Sequence, residues 1–218
     1  MKTVTLIHAT PAAMPTMDRA LAKLPAVRVL NTLDQALLAE VERLGGVTAE
    51  CRDRMATHLR LAARAGSDAV IVTCNVYSSV IAEIGPSFAP MRVLSVDQPM
   101  VDTAVGSYRR IGVLATVAAG LRQQSALLLA TASALGKEIE LVPVLQEAAF
   151  TALTSGDPVE HDRLLLAALD DLGGRVDVVV LAQASMARLA DALPESWKPR
   201  VLASPDLAVA EIAPFLRD

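Results

Sequence analysis

Aromatic residues are scarce in this chain of 218 residues: Phe, Trp and Tyr together make up 3%, although 53% of the residues are hydrophobic. A core with so few rings must be filled by Val, Leu, Ile and Ala. Short aliphatic runs are typical of parallel strands that helices cover on both faces. The composition therefore predicts an α/β protein, and the length allows one two-lobed domain or two small ones.

Long apolar runs and clusters of basic residues are also missing. No uninterrupted apolar stretch approaches the roughly 20 residues that a membrane span needs. The amino terminus enters a strand without the basic and apolar segments of a signal peptide. With a net charge of −4 and no run of Lys or Arg, nucleic acid and membranes are not expected partners. A cytoplasmic location is the expectation that follows.

Cysteines and cofactor motifs are equally few. The two cysteines, Cys51 and Cys74, form neither a disulfide pattern nor a metal-ligand pattern. No G-x-G-x-x-G follows a predicted strand, and the chain contains no G-x-x-x-x-G-K. We therefore predict a protein that uses no nucleotide, flavin or metal.

What the chain does contain is a regular alternation of predicted strands and helices. This order predicts right-handed βαβ units and parallel sheets. We expect two flavodoxin-like, four-stranded lobes, the first from residues 1–97 with 206–218 and the second from residues 98–205. The predicted helices include residues 10–24, 32–44 and 48–65 and the segment that follows Gln183.

One unit of sequence occurs twice. Residues 68–74 match residues 177–183 at an offset of 109, so that Cys74 falls on Gln183. Three matches at nearly one offset argue for duplication and fusion of an α/β half, which would relate the two lobes by a pseudo-two-fold duplication. The other two matches join residues 7–13 to 113–119, at an offset of 106, and residues 92–94 to 200–202, at an offset of 108.

Cys74 is the first candidate for chemistry. The apolar run 69–72 predicts a buried strand, and Cys74 lies just after it, before a segment of helix-start residues. A thiol beside the N-terminus of a helix gains from the dipole and from unpaired N–H groups, and both favour the thiolate. We therefore expect a lowered pKa for Cys74. The alternative interpretation is a small buried apolar residue, as most free cysteines are.

The repeat also predicts where a ligand binds. Ligands of parallel α/β sheets bind at the carboxyl ends of the strands. Those ends carry Thr10 and Cys74 in the first lobe and Thr116 and Gln183 in the second. If the two edges face each other, they enclose one small site in a cleft between the lobes.

Several polar residues near these strand ends are candidate ligands for a carboxylate, through hydroxyl, amide or backbone N–H groups. Each of them also has an interpretation as a plain helix cap. His8 and Tyr77 are further candidates at the site, although a satisfied core-edge histidine and a core-packing tyrosine are the commoner cases. We interpret Asp97 as a helix cap. The candidate carboxylate ligands are Thr10, Asn75, Ser78, Thr116 and Ser185.

Taken together, these segments resemble the cofactor-independent aspartate/glutamate/hydantoin racemase superfamily, whose relatives include maleate isomerase and arylmalonate decarboxylase. Residues 74–78, Cys-Asn-Val-Tyr-Ser, are similar to the family's C-N-T-A-S, and Leu-Ala-Thr follows Ile-Gly-Val at 111–116. The family's second motif is G-C-T or G-C-A-G-M, whereas residues 182–186 are Ala-Gln-Ala-Ser-Met, with Gln183 in place of the second cysteine. The resemblance covers the whole chain and implies an isomerase that acts on a small carboxylic acid.

The missing second thiol changes the expected chemistry. Racemisation alpha to a carboxylate needs a base on one face of the carbon and an acid on the other. Gln183 has no titratable proton, so Cys74 is expected to be the sole catalytic thiol, with Gln183 as an amide donor or as the cap of the following helix. The alternatives are a decarboxylase or lyase on the same scaffold and a carboxylate-binding protein without catalysis. Whether the chain forms a homo-oligomer, a dimer or higher, is left open.

Overall fold

A computed structural model describes residues 1–216 as two compact units. The first contains Met1–Gln98 together with the chain from Pro205 onward, and the second contains Pro99–Ser204. Each boundary lies one residue from the expected one. Positions 217 and 218 of the expected first lobe lie outside the described residues.

The first lobe is a four-stranded parallel sheet flanked by helices. Its strands are β1 (Lys2–His8), β2 (Val27–Leu33), β3 (Ala69–Val72) and β4 (Arg92–Ser95), in the order β2-β1-β3-β4. Its helices are α1 (Met14–Leu21), α2 (Ala36–Leu44), α3 (Ala49–Arg64), α4 (Ser78–Ile84) and α9 (Ser204–Ile212). Helix α5 (Gln98–Ser107) begins at the boundary and belongs, from Pro99 on, to the second lobe.

Side chains of β3 alternate between the two helical layers, as a strand covered on both faces requires. Val70 and Val72 lie in one core with Leu59 of α3. Ala69 and Ile71 lie in the other, whose further members include Met17 of α1 and Ile212 of α9. All four residues of β3 are fully buried. Strand β3 is therefore packed on both faces, which fixes the position of its carboxyl end and of the residues that follow.

The second lobe repeats this topology. Its strands are β5 (Arg110–Ala115), β6 (Glu140–Leu145), β7 (Val178–Leu181) and β8 (Val201–Leu202), all parallel, in the order β6-β5-β7-β8. The prediction of two four-stranded, flavodoxin-like α/β lobes is confirmed. Its helices are α6 (Ala118–Ala134), α7 (Glu147–Thr154) and α8 (Pro158–Leu172).

Both lobes use the same bond where their two central strands begin. In the first lobe the backbone N–H of Thr3 donates to Asp68 Oδ2 at 2.8 Å, and in the second the N–H of Arg110 donates to Asp177 Oδ2 at 2.8 Å. Asp68 and Asp177 keep the expected offset of 109, but Thr3 and Arg110 are 107 residues apart. The predicted offset of 106 for β1 and β5 is therefore wrong by one residue.

This correction changes one predicted equivalence. In the second sheet Leu114 occupies the position that Ile7 has in the first, because each accepts the backbone N–H that follows the neighbouring strand. Thr116 is thus equivalent to Ala9, and Thr10 to Val117. Cys74 and Gln183 remain equivalent.

Three predicted helices also differ from the structure. The helix expected over 10–24 is a 3-10 helix, Pro11–Ala13, followed by α1, which ends at Leu21. The helix expected over 32–44 begins at Ala36, because β2 stays paired with β1 as far as Leu33. The segment after Gln183 is a 3-10 helix, Ala184–Asp191. The helix expected over 48–65 is α3, and Thr48 caps it by accepting the N–H of Cys51 at 3.4 Å.

Candidate functional site

Cys74 lies two residues beyond the end of β3, at the carboxyl edge of the first sheet. Its backbone is extended, with φ −101° and ψ 109°, and it precedes the 3-10 helix Asn75–Tyr77. The side chain is half-buried. The predicted placement of the thiol at a strand end is confirmed.

The predicted lowering of its pKa is wrong. Burial raises the pKa of the Cys74 thiol to about 12, and the carboxylates of Asp97 and Glu42 raise it further, against the hydrogen bond from the Val76 N–H, which lowers it. The 3-10 helix separates Cys74 from the start of α4 at Ser78, so the thiol does not lie at an α-helix N-terminus. At neutral pH Cys74 is a protonated thiol with one N–H group directed at its sulfur.

Ser78 turns its hydroxyl inward. The side chain is buried, and its Oγ lies 2.8 Å from the backbone O of Asn75, 2.7 Å from Ser95 Oγ and 2.7 Å from Asp97 Oδ1. These contacts fix the segment that follows Cys74 to the end of β4. In this structure Ser78 therefore holds the loop, and its predicted role as a carboxylate ligand stays a prediction, as does that of Asn75.

Asp97 has a buried, hydrogen-bonded environment that its sequence context did not reveal. It is 2% exposed; its Oδ1 accepts hydrogen bonds from the hydroxyls of Ser78 and Ser95, and its Oδ2 is buried without a partner. Burial raises the pKa of the Asp97 carboxyl, although the Ser95 and Ser78 hydroxyls lower it. One signal was available: Asp97 lies two residues after β4, as Cys74 lies two residues after β3.

His8 is enclosed at the end of β1. Its Nε2 lies 2.9 Å from Asn31 Oδ1 and its Nδ1 lies 2.9 Å from Thr73 Oγ1. Burial lowers the pKa of His8, with Asn31 and Asp18 opposing that effect. The neutral ring therefore donates from Nε2 to Asn31 and accepts at Nδ1 from Thr73. Both nitrogens are occupied, so the structure fits the satisfied histidine better than a substrate ligand.

Tyr77 belongs to the core. It is fully buried, and its hydroxyl donates to the backbone O of Leu37 at 2.9 Å. Burial raises the pKa of this phenol, and the Cys51 thiol adds to the effect. Because its donor is already used inside the lobe, the structure fits the core-packing interpretation, and the predicted contact of Tyr77 with substrate stays a prediction.

Thr10 is half-buried at the start of the 3-10 helix Pro11–Ala13. Its backbone is extended and Pro11 follows at the first helical position, as predicted, but its hydroxyl makes no capping bond. The cap interpretation of its side chain is therefore wrong. Its role as a carboxylate ligand stays a prediction.

Gln183 lies at the carboxyl edge of the second sheet, and its amide is oriented by Thr116. The Thr116 N–H lies 3.1 Å from Gln183 Oε1, and Thr116 Oγ1 lies 3.4 Å from the same atom. A backbone N–H can only donate, so the atom that faces it must be the oxygen. Gln183 Nε2 is left buried without a hydrogen-bond partner. The predicted cap is wrong, since Gln183 makes no capping bond. Gln183 instead presents a buried amide donor, Nε2, that is not used.

Thr116 directs its N–H and its hydroxyl at Gln183 Oε1, and its predicted role as a carboxylate ligand stays a prediction. Ser185 lies half-buried in the 3-10 helix Ala184–Asp191, two residues after Gln183. The predicted role of Ser185 as a carboxylate ligand stays a prediction.

Two properties of the described residues bear on other kinds of site. Within residues 1–216, no three His, Cys, Asp or Glu side chains come together as a group that could hold a metal ion. Among the helices in that range, none combines the length and the apolar character needed to cross a membrane.

The chain matches a known protein family over most of its length. The family model described as Asp/Glu/Hydantoin racemase matches residues 5–212. No curated protein sequence matches the chain at a significant level.

Solved structures resemble the fold over nearly its whole length. Aspartate racemase from Picrophilus torridus has a TM-score of 0.72 at 16% identity, covering 99% of this chain and 94% of that chain. An aspartate racemase homologue from Pyrococcus horikoshii has a TM-score of 0.73 at 12% identity, covering 100% of both chains. Allantoin racemase from Klebsiella pneumoniae has a TM-score of 0.63 at 14% identity, covering 97% and 86%. At such identities the likeness is one of fold.

Proposed function

Because the chain belongs to the Asp/Glu/Hydantoin racemase family, we propose that it is a cofactor-independent isomerase of the racemase type. Its reaction is proton transfer at the carbon alpha to the carboxylate of a small acid. Cys74 is the group that carries the proton. Gln183 occupies the position of a second thiol and acts as a hydrogen-bond donor.

The observation that carries this proposal is the equivalence of Cys74 and Gln183. Thr73 N–H bonds to the backbone O of Ile7 at 3.0 Å, and Ala182 N–H bonds to that of Leu114 at 2.9 Å. The next residue is Cys74 in one lobe and Gln183 in the other. One sheet edge therefore offers a thiol and the other an amide with unused N–H groups.

These two groups differ in what they can do. A thiol exchanges a proton with carbon, whereas an amide N–H can only stabilise negative charge on an oxygen. Charge gathers on the carboxylate oxygens when the alpha proton leaves, so an amide donor suits that intermediate. With Cys74 as the single proton carrier, we expect proton delivery to one face of the carbon.

A decarboxylase on the same scaffold is the second candidate, and the protonation of Cys74 favours it. A thiol with a pKa of about 12 is neutral at pH 7, which suits a group that gives a proton rather than one that removes it. Loss of CO₂ from a malonate-type acid leaves a carbanion stabilised as an enediolate, and the thiol proton then bonds to that carbon. This reaction needs no second thiol.

The test is a screen of small carboxylic acids in heavy water by proton NMR. The panel contains chiral 2-substituted monocarboxylic acids, amino acids and disubstituted malonates. Exchange of the alpha proton identifies the isomerase-type reaction, and loss of a malonate with formation of a monocarboxylate identifies the decarboxylase.

The controls are Cys74→Ala and Cys51→Ala, which remove one thiol each. Cys51 is buried within α3, so we expect activity to survive its replacement and to fall by about 10²–10⁴-fold in Cys74→Ala, the usual effect of a positioned acid or base. Equal activity in wild type and Cys74→Ala refutes the proposal. Binding of an acid without turnover supports the carboxylate-binding alternative instead.

A further inference from the structure

Asp97 and Cys74 occupy matching positions on neighbouring strands. Val72 pairs with Ser95 at the end of the β3–β4 ladder, and the N–H of Val96 bonds to the backbone O of Val72 at 3.0 Å. Two residues beyond that pair the chain places Cys74 on one strand and Asp97 on the other. The carboxyl and the thiol therefore share one edge of the sheet, and Asp97 acts electrostatically on Cys74.

The carboxyl of Asp97 has partners on one side only. Oδ1 lies within hydrogen-bond distance of the hydroxyls of Ser78 and Ser95, whereas Oδ2 is buried and has no donor. An anionic oxygen buried without a donor or a cation loses its full hydration, which costs several kcal/mol in general. The oxygen of a neutral acid loses much less.

Counting protons also favours the neutral acid. Four short contacts join Asp97 Oδ1, Ser95 Oγ, Ser78 Oγ and the backbone O of Asn75. If Asp97 is ionised, the two serine hydroxyls fill only two of the four contacts. A proton on Asp97 supplies a third, in a chain that runs from Asp97 through Ser95 and Ser78 to Asn75. The serine network is therefore better satisfied when Asp97 is protonated.

We propose that Asp97 is a positioning residue that controls the charge of Cys74. The two groups are neighbours at one sheet edge and together hold at most one negative charge, so Cys74 becomes a thiolate only while Asp97 keeps its proton. This inference rests on the proposed function in taking Cys74 as the reactive group. A carboxylate substrate strengthens the requirement, since an ionised Asp97 would repel both the thiolate and the substrate.

Other groups near Cys74 also act on its charge. Glu42 of α2 is a second carboxylate that opposes the thiolate, and the phenol of Tyr77 interacts with Cys74. Glu42, unlike Asp97, is not buried and is not bonded into the serine network. Asp97 itself faces Ser78 from α4, Ser95 from β4 and Cys74 from the loop after β3.

The test measures Cys74 without substrate, so that it does not depend on turnover. In a Cys51→Ala protein, the rate of alkylation by iodoacetamide is measured from pH 6 to 11, with and without Asp97→Asn. An amide cannot ionise, so we expect Asp97→Asn to move the alkylation profile to lower pH. Each unit of that movement raises the rate tenfold below the thiol pKa. Asp53→Asn, on the exposed side of α3, is the matched control and leaves the profile in place.

A second measurement reports Asp97 directly. The infrared spectrum of the neutral-pH protein should contain the C=O stretch of a buried carboxylic acid, and Asp97→Asn should remove that band. If Asp97→Asn fails to fold, Ser95→Ala replaces it. The bond that Ser95 donates to an ionised Asp97 is charge-assisted and stronger than the bond it accepts from the neutral acid. Losing Ser95 therefore makes Asp97 hold its proton to higher pH, and the alkylation profile again moves to lower pH. An unchanged profile in a folded variant, or no such band, overturns the proposal. Failure of the carboxylic-acid screen alone refutes the proposed function and leaves this test unaffected.

Discussion

The side chains that set the chemistry of Cys74 come from distant parts of the chain. Glu42 lies on α2, Asp97 follows β4, and Val76 is a near neighbour that directs its N–H at the sulfur. The sequence around Cys74 was enough to place the thiol at a strand end. It was not enough to give the direction of its pKa, because that direction depends on burial and on carboxylates that only the fold brings close. A local sequence motif therefore predicts where a side chain lies better than it predicts whether that side chain is ionised.

Asp34 provides a pH prediction at the residue scale. It follows β2, where Arg54 donates to both of its oxygens, at 2.6 and 2.9 Å, and His58 Nε2 lies 2.6 Å from Oδ2. The hydrogen bond from Arg54 is the main reason that the pKa of Asp34 falls to about 2, with burial opposing it and His58 assisting. Because its pKa is lowered in the folded state, Asp34 stabilises the fold fully at pH values above about 3.9, the pKa of Asp in the unfolded chain. This contribution is lost as the pH falls towards 2.

The measurement is urea unfolding of wild type and Asp34→Asn at pH 7 and pH 2.5. We expect the variant to be less stable by about 1–2 kcal/mol at pH 7, a range that allows for solvent around Arg54, and the difference to shrink at pH 2.5. Asp53→Asn, an exposed change on α3, serves as the control. An equal difference at both pH values would show that the ion pair is not its source.

At the scale of elements, the strands were predictable and their register was less so. Residues 69–72 and 178–181 are buried apolar runs in the sequence and prove to be β3 and β7. The sequence match of β1 with β5 aligns the Ala-Thr that follows each strand, and it differs from the structural equivalence by one residue. Backbone pairing sets the register of a strand, and side chains alternate between its faces, so a one-residue error exchanges the two faces. The Thr3–Asp68 and Arg110–Asp177 bonds settle it.

Gly112 is a packing prediction for β5. A Cβ at this position would lie 3.1 Å from Val179 Cγ2 on β7 and 3.3 Å from Leu172 Cδ1 on α8. Because those side chains are fully buried, we expect Gly112→Ala to destabilise the protein by about 1–3 kcal/mol through overpacking.

The matched control is Gly106→Ala, on α5, where an added Cβ meets nothing within 4 Å. Alanine is the better helix former, so this variant should be unchanged or more stable by up to about 1 kcal/mol. Urea unfolding of both variants provides the comparison. A Gly112→Ala protein as stable as wild type would mean that α8 does not pack closely against β5.

For the whole molecule, the alternation of strands and helices and the internal repeat were sufficient to predict two α/β lobes. They were not sufficient to separate a cap from a ligand. Gln183 shows the difference: its sequence context fits a helix cap equally well, and only the bond from the Thr116 N–H reveals that its oxygen is committed and its Nε2 is not. Asp97 was missed for the same reason, since its hydroxyl partners are set by packing between β4 and α4.

The account as a whole depends on one thiol acting on one face of a substrate carbon. Turnover in heavy water of an acid found in the screen tests it most directly, with the product resolved on a chiral column and its deuterium located by NMR. We predict a single enantiomer that carries one deuterium at the alpha carbon, and loss of that product in Cys74→Ala. Equal amounts of both labelled enantiomers from the wild-type protein would contradict the account, because a second proton carrier would then act on the opposite face.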